Sequence, residues 1–282
     1  MIPTAFEYQR ATSLDDALAK IAGGKAKLLA GGHSLVPLMK LRLSEPGTLV
    51  DISRIAELTG IRDTGGRIEI GSATVHHAVA TSALLQEHCP MVAEAARAIG
   101  DTQVRNRGTL GGSLAHSDPS ADMPAVMVAL DADVHLRSAA AARVVKATAF
   151  FQDFFTVDMQ PDEILTAVSF VPVKASAYVK LYQKASHYAI VGVAAALEVS
   201  GGAIKSARLG LTGATTHAVR LPKVEQALAG LGTSAEAIGA AAAGAGADLE
   251  SINSDIHASG DYRRAMIDVF VKRAVMAALA RT

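Results

Sequence analysis

Val104-Arg105-Asn106-Arg107-Gly108-Thr109-Leu110-Gly111-Gly112-Ser113-Leu114-Ala115 is the stretch that decides how this chain is read, with Ala30-Gly31-Gly32-His33-Ser34-Leu35 upstream of it. Each places a glycine pair just ahead of a hydroxyl residue and an apolar one. A strand that turns through paired glycines into a helix points several backbone N–H groups at one place. Those donors and the positive end of the helix dipole suit a phosphate. Glycine lets the phosphate approach the backbone closely. One such turn is ordinary punctuation; two separate ones fit a diphosphate better than a monophosphate. The hydroxyls of Thr109 and Ser113 supplement the donors, and Arg105 and Arg107 either neutralise the charge or form a solvated face.

Working outward, Ser13 opens a Ser-x-x-Asp capping box, and Leu14, Ala17, Leu18 and Ile21 follow at helical spacing. Residues 27–30, 48–52 and 67–71 read as strands, Ser34 starts a short helix, and residues 84–99 read as a helix interrupted near Pro90. A further helix begins near Asp122-Met123-Pro124, and strands follow at 133–137, 143–147 and 168–171. Asp122 stands where a carboxylate can accept ribose hydroxyls, and equally where it can cap a helix. Beyond residue 175 the pattern changes to strands at 178–184, 190–199 and 203–212, then helices near 222–230, 235–249 and 261–279. In the last helix Met266, Val269, Phe270, Arg273, Met276 and Ala277 form a packing face. The Ala/Gly-rich run 238–247 reads as a loosely packed helix.

Composition narrows the function. Half of the 282 residues are hydrophobic and 19% are charged, which excludes a disordered chain. Twenty-seven basic residues balance 27 acidic ones, and aromatics make up 4%, so neither a nucleic-acid surface nor an anionic-membrane surface is indicated. The single cysteine, Cys89, excludes an intramolecular disulfide, a Cys-rich zinc site and a four-cysteine iron–sulfur cluster. It reads as an ordinary buried thiol. No apolar run is long enough to span a bilayer, and the charged N-terminus has no signal core, so a reducing, cytoplasmic compartment is expected. The run from Gly230 to Ala235 satisfies G-x-G-x-x-A but follows a helical pattern and no strand. His76-His77 lacks companion ligands and reads as helix surface. No G-x-S-x-G elbow supports a hydrolase.

The two glycine turns, with Gln103 at the head of the second, resemble those of the flavoprotein (medium) subunit of molybdenum hydroxylases, the carbon monoxide dehydrogenase and xanthine dehydrogenase group. Three later segments agree in order: Asp162-Glu163-Ile164-Leu165, Gln183-Lys184-Ala185-Ser186-His187-Tyr188-Ala189 and Ser259-Gly260-Asp261-Tyr262-Arg263-Arg264-Ala265. The resemblance covers essentially the whole chain. It implies an α+β architecture. A two-part FAD-binding domain of the vanillyl-alcohol-oxidase (PCMH) type would occupy 1–175, split near 55. A C-terminal domain with a three-stranded antiparallel sheet and a helical bundle would occupy 176–282. It implies that Ala30, Gly31, Gly32, His33, Ser34 and Leu35, with Thr109, Leu110, Gly111, Gly112 and Ser113, wrap the FAD diphosphate. Asp122 would bind the adenosine ribose, Leu165 would pack near the adenine, Lys184 would lie near the flavin end, and Tyr188 would stand beside the isoalloxazine.

The resemblance further implies an electron-transfer subunit. A large partner subunit carries the molybdenum cofactor, and a small one with [2Fe–2S] clusters passes electrons to FAD and on to an external acceptor. The expected assembly is an (LMS)2 heterohexamer, associated through the complex with the inner face of the membrane. Two rivals stand beside it: a stand-alone FAD-dependent oxidase or reductase of the same fold, and a non-catalytic nucleotide-binding scaffold module. Quinone, cytochrome, oxygen and NAD all remain open as acceptor.

Overall fold

The computed structural model describes all 282 residues. A parallel sheet comes first: β1 (Glu7–Arg10), β2 (Ala26–Leu29) and β3 (Thr48–Asp51), in the order β1-β3-β2. Parallel neighbours require crossovers, and α1 (Leu14–Ile21) and α2 (Leu35–Lys40) supply them. Ser13 caps α1 as expected, its Oγ accepting from Asp16 N–H at 3.1 Å. The return arm differs from a regular capping box, because the Asp16 carboxylate accepts from Thr12 N–H, one residue before the cap. Leu14, Ala17, Leu18 and Ile21 then pack beneath Val50 and Ile52.

The second sheet is antiparallel, in the order β4-β5-β10-β6-β7. It comprises β4 (Ile61–Asp63), β5 (Ile68–Gly71), β6 (Asp133–Arg137) and β7 (Ala142–Lys146). After a small hairpin, β8 (Phe151–Asp153) and β9 (Thr156–Val157), β10 (Ile164–Phe170) returns to its centre. Between β5 and β6 lie α3 (His76–Thr81), α4 (Ala83–His88), α5 (Pro90–Ala98), α6 (Thr102–Arg105), α7 (Leu110–His116) and α8 (Asp122–Ala129); α9 (Ala147–Phe150) follows β7. The break expected near Pro90 falls at Cys89, and proline opens α5 where its missing N–H costs nothing.

The third sheet has three long strands, β11 (Ser176–Tyr182), β12 (Ala189–Ser200) and β13 (Ala203–Thr212), extended at its edge by β14 (Val219–Arg220). Helices α10 (Pro222–Leu228), α11 (Ala235–Ala242) and α12 (Gly260–Leu279) complete the chain. α11 stops short of the expected 249, because Ala243 is extended and Gly244 is left-handed (φ 77°). The buried face of α12 also differs from the expected one. Ile267, Phe270, Val271, Ala274, Val275 and Ala278 face inward, with Met266, Val269, Met276 and Ala277 only at the margin. Small alanines let the helix lie close on β11 and β12, which shifts the buried stripe by about one position while Phe270 stays within it. No helix is long and apolar enough to cross a membrane.

α8 is buried on every side. It packs against α5 and against β12 and β13, so it joins the helical excursion to the third sheet. That contact requires a residue without a side chain: a Cβ on Gly210 would overlap the carbonyl of Ala125 in α8. Gly210→Ala is therefore expected to cost about 1–3 kcal/mol through overpacking. Gly47→Ala, where a Cβ meets nothing within 4 Å, should cost under about 0.5 kcal/mol. Urea unfolding midpoints of the two variants check this; equal midpoints would remove α8 as a tight joint.

Candidate functional site: a cavity between two glycine turns

The β2–α2 turn and the α6–α7 turn meet backbone to backbone. A Cβ on Gly31 would overlap the carbonyl oxygen of Arg107 and stand 2.8 Å from the Cα of Gly108. A Cβ on Gly108 would in turn stand 3.0 Å from the ring of His76, and one on Gly111 would overlap Ser72. These contacts close one wall of a cavity of about 1080 Å³, at the upper end of the roughly 300–1,000 Å³ of small-molecule sites. Ala30, Gly31, Gly32, His33, Ser34, Leu35, Thr109, Gly111, Gly112, Ser113, Asp122, Leu165 and Tyr188 all line it.

The two turns differ in what they offer. None of the N–H groups of residues 31–35 has a hydrogen-bond partner in the chain, and the Ser34 hydroxyl caps nothing. Gly32 is left-handed (φ 75°), which turns this row of donors toward the cavity. In the second turn the donors are already engaged. Leu110 N–H goes to Thr74 O, Gly111 N–H to Ser72 O, Gly112 N–H to Thr109 Oγ1 and Ser113 N–H to Thr109 O. What remains there is the Thr109 N–H and the hydroxyls of Thr109 and Ser113. Leu110 does not reach the cavity, since its side chain is fully buried in the core.

Asp122 is buried at the cavity wall as the first residue of α8, directly after Ala121, which holds the N-cap position. The carboxylate is therefore not the cap. Its Oδ1 accepts from the Tyr178 hydroxyl, and Lys180 Nζ stands 2.9 Å from Oδ1 and 3.0 Å from Oδ2. Burial pushes the carboxyl up from its ordinary range, while Lys180 and Tyr178 hold it back. Lys180 also donates to the His187 carbonyl, so it ties α8 to the 183–188 turn.

In that turn Gln183 Oε1 accepts from the N–H groups of Ala185 and Ser186. The fold of the turn presents Ser186, His187 and Tyr188 to the cavity and leaves Lys184 in solvent, off the wall. Lys184 is thus not a cavity residue; the buried lysine is Lys180, which the sequence analysis does not single out and which pairs with Asp122. Tyr188 meets His257 edge to face at 5.9 Å. Behind it, the fully buried Arg263 donates to the carbonyls of Ile190 and Gly213 and to Asp255 Oδ2 at 2.6 Å. Leu165, Val157, Met159 and Pro161 also line the cavity. Glu163 there is held below the usual carboxylate range by Arg143, whose Nε is 2.6 Å away.

The arginines of the second turn do not face the cavity. Arg105 turns back onto the carbonyls of Ile99 and Gly100, and Arg107 is exposed and off the wall. His76, expected on a helix surface, is 4% exposed and lines the cavity, while His77 is the exposed member of the pair. The helical spacing does carry a signal for this, since His76 stands three and four positions before the buried Val79 and Ala80. The inward turn follows from the backbone bond of His76 N–H to Gly108 O, 2.9 Å.

Residues 4–174 match the model of the FAD-binding domain in molybdopterin dehydrogenase, and residues 176–278 match that of the CO dehydrogenase flavoprotein C-terminal domain. The chain is 40% identical to the carbon monoxide dehydrogenase medium chain of Hydrogenophaga pseudoflava, over 100% of this chain and 99% of that one. It is 34% identical to the glyceraldehyde dehydrogenase medium chain of Sulfolobus acidocaldarius, over 97% and 98%. Among solved structures, the Hydrogenophaga pseudoflava carbon monoxide dehydrogenase lacking the Mo-pyranopterin moiety superposes with a TM-score of 0.94, covering 100% of this chain and 99% of that one. With two family models spanning nearly its whole length, the chain belongs to the FAD-binding medium subunits of the molybdenum hydroxylases.

Proposed function

We propose that this subunit receives electrons from iron–sulfur clusters of a small partner subunit and passes them, through FAD in the described cavity, to an external acceptor. The observation that carries the reading is the row of unpartnered N–H donors at residues 31–35, opposite the Thr109 and Ser113 hydroxyls. That donor set fits a diphosphate. The remaining assignments use other residues of the same wall: Leu165 with the adenine, Asp122 with the ribose, and Tyr188 beside the isoalloxazine. FAD, when bound, supplies exchange of one or two electrons.

Each residue then has a task in binding or positioning. Tyr178 and Lys180 orient Asp122, and a carboxylate with about four acceptor positions keeps room for a ribose hydroxyl. The Arg263–Asp255 pair holds the 253–258 loop, and with it the His257 ring behind Tyr188. Substrate choice lies with the large subunit on this reading, because medium chains named for carbon monoxide and for glyceraldehyde share this architecture. An (LMS)2 assembly in a reducing compartment agrees with a chain whose one thiol is buried and pushed by burial up to about 11.

Two measurements test the proposal. Gly31→Val forces the two turns apart, and Gly112→Val drives a side chain into the Thr109 hydroxyl. Both should lower FAD affinity at least about tenfold, or 1.4 kcal/mol, with the far-UV circular dichroism unchanged. Full flavin retention in both would overturn the diphosphate assignment. Chain purified from its source should carry flavin that bleaches with dithionite, and should copurify with molybdenum- and iron-bearing chains. Substrate oxidation by the isolated chain would favour a stand-alone flavin enzyme.

A further inference from the structure

The polar side chains buried at the cavity wall are nearly all accounted for, with two exceptions. Ser72 Oγ and His76 Nδ1 are buried and have no hydrogen-bond partner, and both residues line the cavity where the two glycine turns meet. Nε2 of His76 makes no hydrogen bond within the chain either, although the ring is in contact distance of Gly108. An unsatisfied buried polar group costs about 1–3 kcal/mol, so a ring held this way points to a partner that the chain itself does not contain.

We propose that His76 is a ligand of the cofactor's diphosphate and takes up a proton as the cofactor enters. This rests on the diphosphate reading above. His76, Gly108 and Gly31 stand in series, each backbone or ring in contact with the next, so the imidazole lies at the joint of the two turns. Neutral imidazole has one donor and one acceptor, whereas imidazolium has two donors. An anion beside the ring therefore favours the protonated form. Neighbouring cations do not act on the ring. Arg105 is spent on carbonyls and Arg107 is in solvent, while Lys27 lines the cavity but its charge is felt at His116 and not at His76.

The groups facing His76 define its ionisation in the chain alone. From the β2–α2 turn comes His33; from the α6–α7 segment comes the uncharged backbone of Gly108. On its own helix His77 points to solvent. No carboxylate acts on the ring: burial first and His33 second hold it down at about 4. Bound diphosphate raises that value, so the proton is taken up in the window between about 4 and the bound-state value. Within the window FAD affinity increases as pH falls, by at most about tenfold per pH unit for one proton.

The test is calorimetric titration of the full-length apo-subunit with FAD, in two buffers of different ionisation enthalpy, from about pH 8 to about pH 5. Wild type should bind FAD about tenfold more tightly at the acid end relative to His76→Gln, with net proton uptake that His76→Gln lacks. Riboflavin, which has no phosphate, should give no uptake by either protein. A triple variant, His33→Gln/His116→Gln/His187→Gln, leaves His76 as the one histidine on the cavity wall. It should retain uptake, and it reports even if His76→Gln folds poorly. Undiminished uptake in His76→Gln, or its loss in the triple variant, overturns the proposal. If FAD and riboflavin bind wild type equally well at about pH 8, the diphosphate reading itself fails.

Discussion

The contact between the backbone of Gly31 and that of Arg107 and Gly108 sets the geometry of the molecule's working part. One side belongs to a parallel α/β layer and the other to a helical excursion from an antiparallel sheet, so their meeting fixes how these two layers stand. No side chain intervenes, because a single Cβ at Gly31 would overlap a carbonyl. The wall behind follows from the same constraint. His76 N–H binds the carbonyl of Gly108, and Ser72 O accepts the N–H of Gly111, so the second turn is sewn to the β5–α3 connection. That stitching uses up the second turn's backbone donors and leaves the first turn's row free. The two similar motifs thus divide their work, one as frame and one as donor set.

Charge around the cavity is arranged by the same logic of fixed partners. Three of the carboxylates on its wall are each met from behind: Asp122 by Lys180, Glu163 by Arg143 and Asp255 by Arg263. Their negative charge is therefore largely answered before any ligand arrives. An anionic group inside meets backbone dipoles, histidines and Lys27, with Asp118 the one lining carboxylate that has no cationic partner. A neutral net charge conceals this, since it sums 27 and 27 without regard to position. Two of these pairs also brace the wall: Lys180 reaches the His187 carbonyl, and Arg263 those of Ile190 and Gly213.

Much of the fold was legible in the sequence because it depends on local chemistry. The Ser13 cap, the break before Pro90 and the three long strands of the third sheet all have short-range causes, whereas short strands such as β1, β4, β8 and β9 do not stand out in the sequence. The glycine turns were visible because their chemistry is local, and most of the residues named for the site do line the cavity. What was not legible depends on partners far along the chain. Lys184 sits in a motif but on the outer side of its turn, while Lys180, four residues earlier, reaches a carboxylate 58 positions away. The α12 face was misplaced because side-chain size, read alone, says nothing of how closely two elements approach. His76 was read as surface because the pair lacks companion ligands; its spacing to Val79 and Ala80 places it on the buried face, and a backbone bond to a distant glycine fixes it there.

The single cysteine ties these points to electron flow. Cys89 closes α4 in the core, where burial raises its thiol to about 11 and keeps it out of redox chemistry at neutral pH. With no second cysteine, this chain cannot hold a four-cysteine iron–sulfur cluster, so the proposed route calls for an organic group. The built cavity is where this chain has room for one. Its wall is made rigid by backbone contact and internally balanced ion pairs, which suits a site that must keep a cofactor in one pose while electrons pass. Such a site needs no reactive side chain of its own. The Gly31 contact, the spent donors of the second turn and the paired acids are then parts of one solution, in which the protein supplies position and field and leaves the electron chemistry to what it binds.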